Sequence, residues 1–233
     1  MQAKHPFWTL IVAAGIGQRF GTARPKQYMD LAGRPVLMRA IDPFLEHGDP
    51  GRLILVIPPE DGSFITEMLE EHLPGFRPLL VPGGATRQDS VSRGLGAIAD
   101  DEAWVAVHDA ARPLFDGAKL SKWRASLEDC DAVLPVIPIA DTVVETNEGR
   151  VTNLLDRSKL GAVQTPQLFR LSVLRRAHQE ALARGETDAS DDGGLLLAID
   201  ADVRTVIGDA GNFKITRPED LKRAERELKE CDD

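Results

Sequence analysis

The chain has 233 residues, 42% of them hydrophobic and 28% charged, which fits a globular protein of one large domain or two small ones. Its formal net charge of -9 argues against a nucleic-acid partner, because that affinity rests on neutralising phosphates; a phosphate ligand would need a local cluster of cations and backbone N–H groups. No run approaches the roughly 18 apolar residues that span a membrane, and "MQAKHPFWTLIVAAG" runs straight into strand and glycine loop without a secretory pattern, so a cytoplasmic protein with no membrane partner is expected.

In chain order, strands are expected at 9–13, 53–57, 79–81, 104–108 and 132–136. These runs are rich in Val, Ile and Leu with little polar alternation, as suits strands buried on both faces. Helices are expected between them at 35–46, 64–72, 88–99 and 118–127. The alternation predicts an α/β fold with a mostly parallel sheet and helices on both faces. Ligands of such sheets bind beyond the carboxyl ends of the strands, which directs attention to the loops at Ala14, Pro82 and Asp109.

Residues 139–157 break the rhythm. Two β-prone runs, 142–145 and 150–154, flank Asn147-Glu148-Gly149, a hairpin signal with a turn of three or four residues. A helix at 171–184, a strand at 203–207 and a final helix follow, the last opening on Thr216-Arg217-Pro218-Glu219 as a capping box. The expected organisation is a single domain over 1–233 with 138–158 as an inserted arm. Cys130 and Cys231 have no neighbours at metal-ligand spacing and are expected to stay reduced.

The loop "AAGIGQRFGTARPKQY" follows the first strand. A dinucleotide fingerprint needs Gly-x-Gly-x-x-Gly; Gly15 and Gly17 fit, but Phe20 stands at the third position, and the acidic residue expected about 20 positions on is missing. A Walker loop also fails, since no Gly-Lys follows. The glycines instead let backbone N–H groups approach a ligand, with Arg19 and Lys26 supplying charge to a polyphosphate. The alternative is a plain βα turn with solvated basic residues.

Two further clusters lie past strands. "WVAVHDAARPLF" places Asp109 and Arg112 beyond a buried run, where Asp109 would meet a ribose hydroxyl or lie near a metal ion; alternatively Arg112 braces Asp109 as an ion pair. His108 reads as a packed strand-end residue. "PGGATRQDSV" opens a helix whose first N–H groups, with Ser90, would receive a base or phosphate, unless it is a simple helix cap.

With these clusters in order, the chain resembles the 2-C-methyl-D-erythritol 4-phosphate cytidylyltransferases of the non-mevalonate isoprenoid pathway. The motifs that carry the resemblance are "AAGIGQRF…PKQY", "GGATRQDSV", "VHDAARP", "DTV", Asp156-Arg157, "QTPQLF" and "NFKITRPEDL". The resemblance implies a Rossmann-like fold of nucleotidyltransferase type and CMP transfer from CTP to the alcohol phosphate. By the same resemblance, Arg19, Lys26, Arg157 and Lys214 would be catalytic. Ala13, Ala14, Gly15, Gly17, Gly84, Ser90, Asp109 and Ala110 would line the CTP site. Thr142, Arg157, Thr165, Ser190 and Lys214 would bind the second substrate, and Mg²⁺ would ride on the triphosphate with Asp109 near it. The hairpin would be a dimer arm that carries Thr142 and Arg157 to the partner's site.

Three departures stand out. Val12 replaces a frequent Pro, Ala85 replaces a frequent acidic residue, and the usual Thr-Asp-Asp/Glu has two counterparts. These are Thr187-Asp188 and, favoured by counting back from Lys214, Ser190-Asp191-Asp192. Some relatives are fused to a second enzyme, and no room for one is expected here. Rival readings are a ribitol 5-phosphate cytidylyltransferase and a nucleotide-sugar glycosyltransferase. The latter would use Asp-x-Asp at a strand's carboxyl end, but Asp129-Cys130-Asp131 and Asp200-Ala201-Asp202 precede strands.

Overall fold

The computed structural model describes residues 5–15 and 25–231, and for Cys231 the backbone alone. The strands are β1 Phe7–Val12, β2 Asp30–Leu31, β3 Arg34–Pro35, β4 Leu53–Ile57, β5 Leu79–Pro82, β6 Trp104–Asp109, β7 Ala132–Pro138, β8 Val143–Asn147, β9 Arg150–Leu155, β10 Gly161–Val163, β11 Gln167–Arg170 and β12 Val203–Ile207. The helices are α1 Val36–His47, α2 Gly62–His72, α3 Arg87–Gly96, α4 Leu120–Ser126, α5 Leu171–Ala183, α6 Gly193–Leu197 and α7 Pro218–Cys231.

The main sheet has eight strands in the order β10-β7-β11-β6-β1-β4-β5, with β12 on β7. β1, β4, β5 and β6 run parallel, β12 runs parallel to β7, and β10 and β11 are antiparallel insertions. Alternate residues of one strand enter different cores. Ile11, Leu55 and Ala106 pack with α1 and α2 on one face, while Leu10, Val56 and Val107 pack with α3 and α5 on the other. Both faces are therefore apolar, which is why the strands read as unbroken hydrophobic runs. A third cluster packs Leu31, Val36 and Ile215 with α7 through Ala224. Among the described residues no helix is long and apolar enough to cross a membrane.

α3 lies unusually close to the sheet at Gly94. A Cβ there would sit 2.4 Å from Leu10 Cδ1 and 2.9 Å from Val56 Cγ2. Gly94→Ala is expected to destabilise the fold by about 1–3 kcal/mol through overpacking, despite alanine's better helix propensity. A urea midpoint equal to or above that of the parent chain would contradict this.

The hairpin forms as its own two-stranded sheet, β8 with β9. Its turn is shorter than expected. Asn147 pairs directly with Arg150, and the two residues between them, Glu148 and Gly149, have φ of 48° and 77°. Two successive left-handed residues make a type I′-like turn, whose twist matches the strands. The start of α7 also departs from the sequence reading. Asp220 Oδ2, rather than Glu219, accepts from Thr216 N, Thr216 Oγ1 and Arg217 N, at 2.7–2.8 Å. One residue further along brings the carboxylate onto the exposed N–H groups, so a capping-box spacing is not required.

Candidate active site

The strand order reverses between β1 and β6: the chain leaves β1 for β4 and β5 on one side and returns to β6 on the other. Val12 and Asp109 are partners in the ladder at that point. This is where a crevice opens in doubly wound sheets, and three sequence clusters meet there.

The first is the glycine loop. Ala13 continues the ladder, donating from N to Val56 O at 2.7 Å. The buried Gln27 side chain then pins the turn, donating from Nε2 to Ala13 O at 2.8 Å and to Gly15 O at 3.1 Å. Gln27 holds the loop's carbonyls, a role the sequence reading missed. Gly17 and Arg19 lie outside the described residues. The second cluster begins at Gly83, where a Cβ would come within 2.3 Å of Ala14 Cβ, so glycine is what lets the two loops touch. Thr86 caps α3 by accepting from Asp89 N at 3.1 Å. Ser90 is buried, accepting from Gly84 N at 3.0 Å and donating to Thr86 O at 2.9 Å. In this structure Ser90 braces the Gly83-Gly84 turn.

The third cluster is the charged one. Asp109 Oδ2 accepts from Lys214 Nζ at 2.6 Å, and Oδ1 accepts from Arg87 Nε at 3.2 Å. Burial alone would raise the Asp109 pKa, but the Arg87 and Lys214 cations hold it below the usual carboxylate range. The alternative ion pair with Arg112 does not form. Arg112 donates instead to Asn212 O at 2.8 Å and Val163 O at 3.4 Å, and acts on Asp109 through space. Arg87 was the missed partner. Its other arm, Nη1, donates to Asp192 Oδ2 at 2.7 Å.

Lys26 reaches the same place from the glycine-loop side, donating from Nζ to Ile215 O at 2.7 Å. Lys26 and Lys214 thus lie on neighbouring segments at the rim. Ala110 extends the β6 edge, donating to Val12 O at 3.1 Å, and Thr165 Oγ1 accepts from Asp109 N at 3.0 Å. His108 is fully buried, with Nε2 donating to Arg112 O at 3.1 Å and Nδ1 3.2 Å from Thr165 Oγ1. It packs against Phe44 and Phe115, as a strand-end residue should.

Residues 186–192 lie across the start of α3. Gln88 donates to Glu186 O at 2.7 Å and accepts from Ala189 N at 2.9 Å, and Thr86 Oγ1 donates to Thr187 O at 2.7 Å. Asp192 joins the buried charges, whereas Ser190 is exposed on the same loop. Thr142 and Arg157 stay outside this cluster. Both are exposed at the base of the hairpin, and Arg157 donates to Ala140 O. The two Asp-x-Asp strings lie at the amino ends of β7 and β12, where Asp131 and Asp202 bond each other's backbone. They are turn residues, far along the strands from the switch point.

Among known families, the model of 2-C-methyl-D-erythritol 4-phosphate cytidylyltransferase (IspD) matches residues 7–230. A protein of that name from Rhodococcus jostii is 41% identical over 221 residues, covering 94% of this chain and 93% of its own. The bifunctional enzyme IspD/IspF of Rhodopseudomonas palustris (strain BisB18) is 40% identical over 223 residues, and there the match covers 94% of this chain but 55% of the relative. The chain therefore spans about half the length of the bifunctional relatives it matches. The crystal structure of 2-C-methyl-D-erythritol 4-phosphate cytidylyltransferase from Thermus thermophilus superposes with a TM-score of 0.77 at 32% identity, covering 95% of this chain and 98% of that one. The sheet order, the three clusters at its switch point and these matches agree: the chain belongs to the 2-C-methyl-D-erythritol 4-phosphate cytidylyltransferase family.

Proposed function

We propose that the chain transfers CMP from CTP to 2-C-methyl-D-erythritol 4-phosphate, giving 4-diphosphocytidyl-2-C-methyl-D-erythritol and pyrophosphate. The observation that carries this reading is the meeting of Lys26, Lys214 and Asp109 with two glycine turns at the β1/β6 switch point. A phosphate monoester has a second pKa of about 6 and is ionised at neutral pH, so it needs no general base. One of its oxygens attacks the α-phosphorus, the bond to the bridging oxygen breaks, and pyrophosphate leaves with the electron pair. No covalent enzyme intermediate forms. The main obstacle is repulsion between two polyanions, and fixed cations at the rim offset it.

In this reading Ala13, Ala14, Gly15, Gly17, Gly84, Ser90, Asp109 and Ala110 would bind CTP, and Arg19 and Lys26 would neutralise its triphosphate. Lys214, Thr165 and Ser190 receive the alcohol phosphate. Among the described residues no group of three or more His, Cys, Asp or Glu could hold a metal ion, and both Asp109 oxygens are engaged by cations. That donor set suits Mg²⁺ bound mainly by phosphate oxygens, where it would supply charge neutralisation. The hairpin exposes Val151 and Leu154, each about two-thirds accessible. A second copy covering it would bring Thr142 and Arg157 to the partner's site, so the reading is a cytoplasmic homodimer.

The test is pyrophosphate release with CTP and Mg²⁺, offering methylerythritol phosphate and ribitol 5-phosphate separately, on a preparation whose mass is measured by sedimentation. Release with the first substrate from a dimer is expected. Release with ribitol phosphate alone would replace the substrate, and a monomer at full activity would remove the arm from the site.

A further inference from the structure

Five charged or polar side chains form an unbroken chain inward from the rim. Lys214 bonds Asp109, Asp109 bonds Arg87, Arg87 bonds Asp192, and Asp192 Oδ1 accepts from His178 Nε2 at 3.0 Å. The outer end is the more exposed: Lys214 is 35% exposed, Asp109 and Arg87 are 11% and 20%, and the inner pair, Asp192 and His178, 1% and 5%. The outer end is open to a ligand and the inner end is anchored in α5.

We propose that Arg87, fixed by Asp192 and His178, is a positioning residue for the alcohol phosphate, an inference that rests on the reading above. Arg87 is suited to this because its planar guanidinium donates from Nε to one carboxylate and from Nη1 to another, and a lysine ammonium could not reproduce that fork. Holding Asp109 Oδ1 fixes the rotation of its carboxylate. Oδ2 then presents Lys214 at one place on the rim, with the Asp109 charge shared between two cations. Asp192 is acceptor-only when ionised, so its bond to His178 requires a proton on Nε2. His178 Nδ1 is buried with no hydrogen-bond partner among the described residues, so the Asp192 bond alone fixes the ring's polar edge. The same loop carries Ser190, so a shift of Asp192 would move both phosphate-side groups together while leaving the glycine-loop side in place.

The test compares His178→Phe, His178→Gln and Arg87→Lys with the parent chain, measuring melting temperature and the KM for each substrate. His178→Phe removes the donor to Asp192, and His178→Gln keeps a donor near the Nε2 position. His178→Phe is expected to lower kcat/KM for the alcohol phosphate by about tenfold, as misplacement of a binding group does, with a smaller change in KM for CTP, whose site meets the chain only through Asp109. His178→Gln should recover most of that loss. A purely structural role would make activity follow melting temperature and move both KM values together. Parent-like kinetics in His178→Phe, or an equal loss in His178→Gln, would overturn the proposal. If His178→Phe does not fold, Arg87→Lys decides, and a folded variant with both KM values unchanged would overturn it. The parent is assayed first: no turnover there is a failure of the functional reading, whereas turnover insensitive to these variants is a failure of the inference alone.

Discussion

Lys214→Met is expected to lower kcat/KM for the alcohol phosphate by about a hundredfold, the usual cost of removing one fixed group that stabilises developing charge. The reason is its place at the rim. Lys214 is the partly exposed end of the charge chain, and Asp109, its one carboxylate partner among the described residues, is already matched by Arg87. An incoming phosphate can therefore share the ammonium without displacing Asp109. Methionine keeps the length and apolar stem of the side chain but leaves an extra negative charge where a dianion must approach. Asp109 would retain Arg87, so the fold should survive, and thermal melting measured alongside separates lost chemistry from lost structure. Lys214→Arg is the companion variant: it keeps the charge but changes its geometry, so an intermediate rate is expected. A Lys214→Met enzyme whose kcat/KM for the alcohol phosphate stays within a few fold of the parent would remove Lys214 from the reaction. It would also remove the rationale for positioning it.

Much of the sheet was legible because its strands are buried on both faces. Leu53–Ile57 is apolar at every position, and β4 occupies those residues as expected. β10 and β11 were not legible. Gly161-Ala162-Val163 is short and exposed, and Gln167-Leu168-Phe169-Arg170 is bounded by polar residues. Both are held by ladders to β6 and β7 that local sequence does not encode. The candidate site shows the same division. Asp109 and the glycine turns announce themselves by following apolar runs. Arg87 does not, because each of its carboxylates lies on another element, and Asp192 is 105 residues away. Its signal in "GGATRQDSV" is indistinguishable from a helix's first-turn cation. Arg112, two residues beyond the "HDA" of its motif, looked like the natural partner for Asp109, but its side chain turns toward Asn212 and Val163. Gln27 was hidden for a related reason: both its acceptors are carbonyls of the glycine loop, which only the folded turn brings within reach.

Between pH 7 and 4 the main pH effect on stability is expected from His108, because the windows of the buried carboxylates Asp109 and Asp192 lie lower. Burial is the main cause that pushes its pKa down, from 6.5 to about 4, against the opposing pull of the Asp109 charge. The fold accommodates the neutral ring with both nitrogens engaged, Nε2 donating to Arg112 O and Nδ1 against Thr165 Oγ1. A proton is therefore bound more readily by the unfolded chain than by the native one between pH 6.5 and 4. The stability His108 contributes is full above the unfolded pKa and is lost as pH falls through that window. At 1.36 kcal/mol per pKa unit, the loss is about 3 kcal/mol. Asp109 and Asp192 have the same sign but a lower window, since both are held below the ordinary carboxylate range in the fold. Their contributions persist above the unfolded carboxylate pKa and fade only as pH drops beneath it. Acid denaturation should thus begin near pH 6.5 and steepen below pH 4. Urea midpoints measured at pH 7, 5.5 and 4 on the parent and on His108→Gln check this, because glutamine cannot titrate. The variant should be the less stable of the two at pH 7, having lost a shaped partner for Phe44 and Phe115, and the gap should narrow or reverse by pH 4. Parallel loss of stability in both chains across that range would place the proton uptake elsewhere.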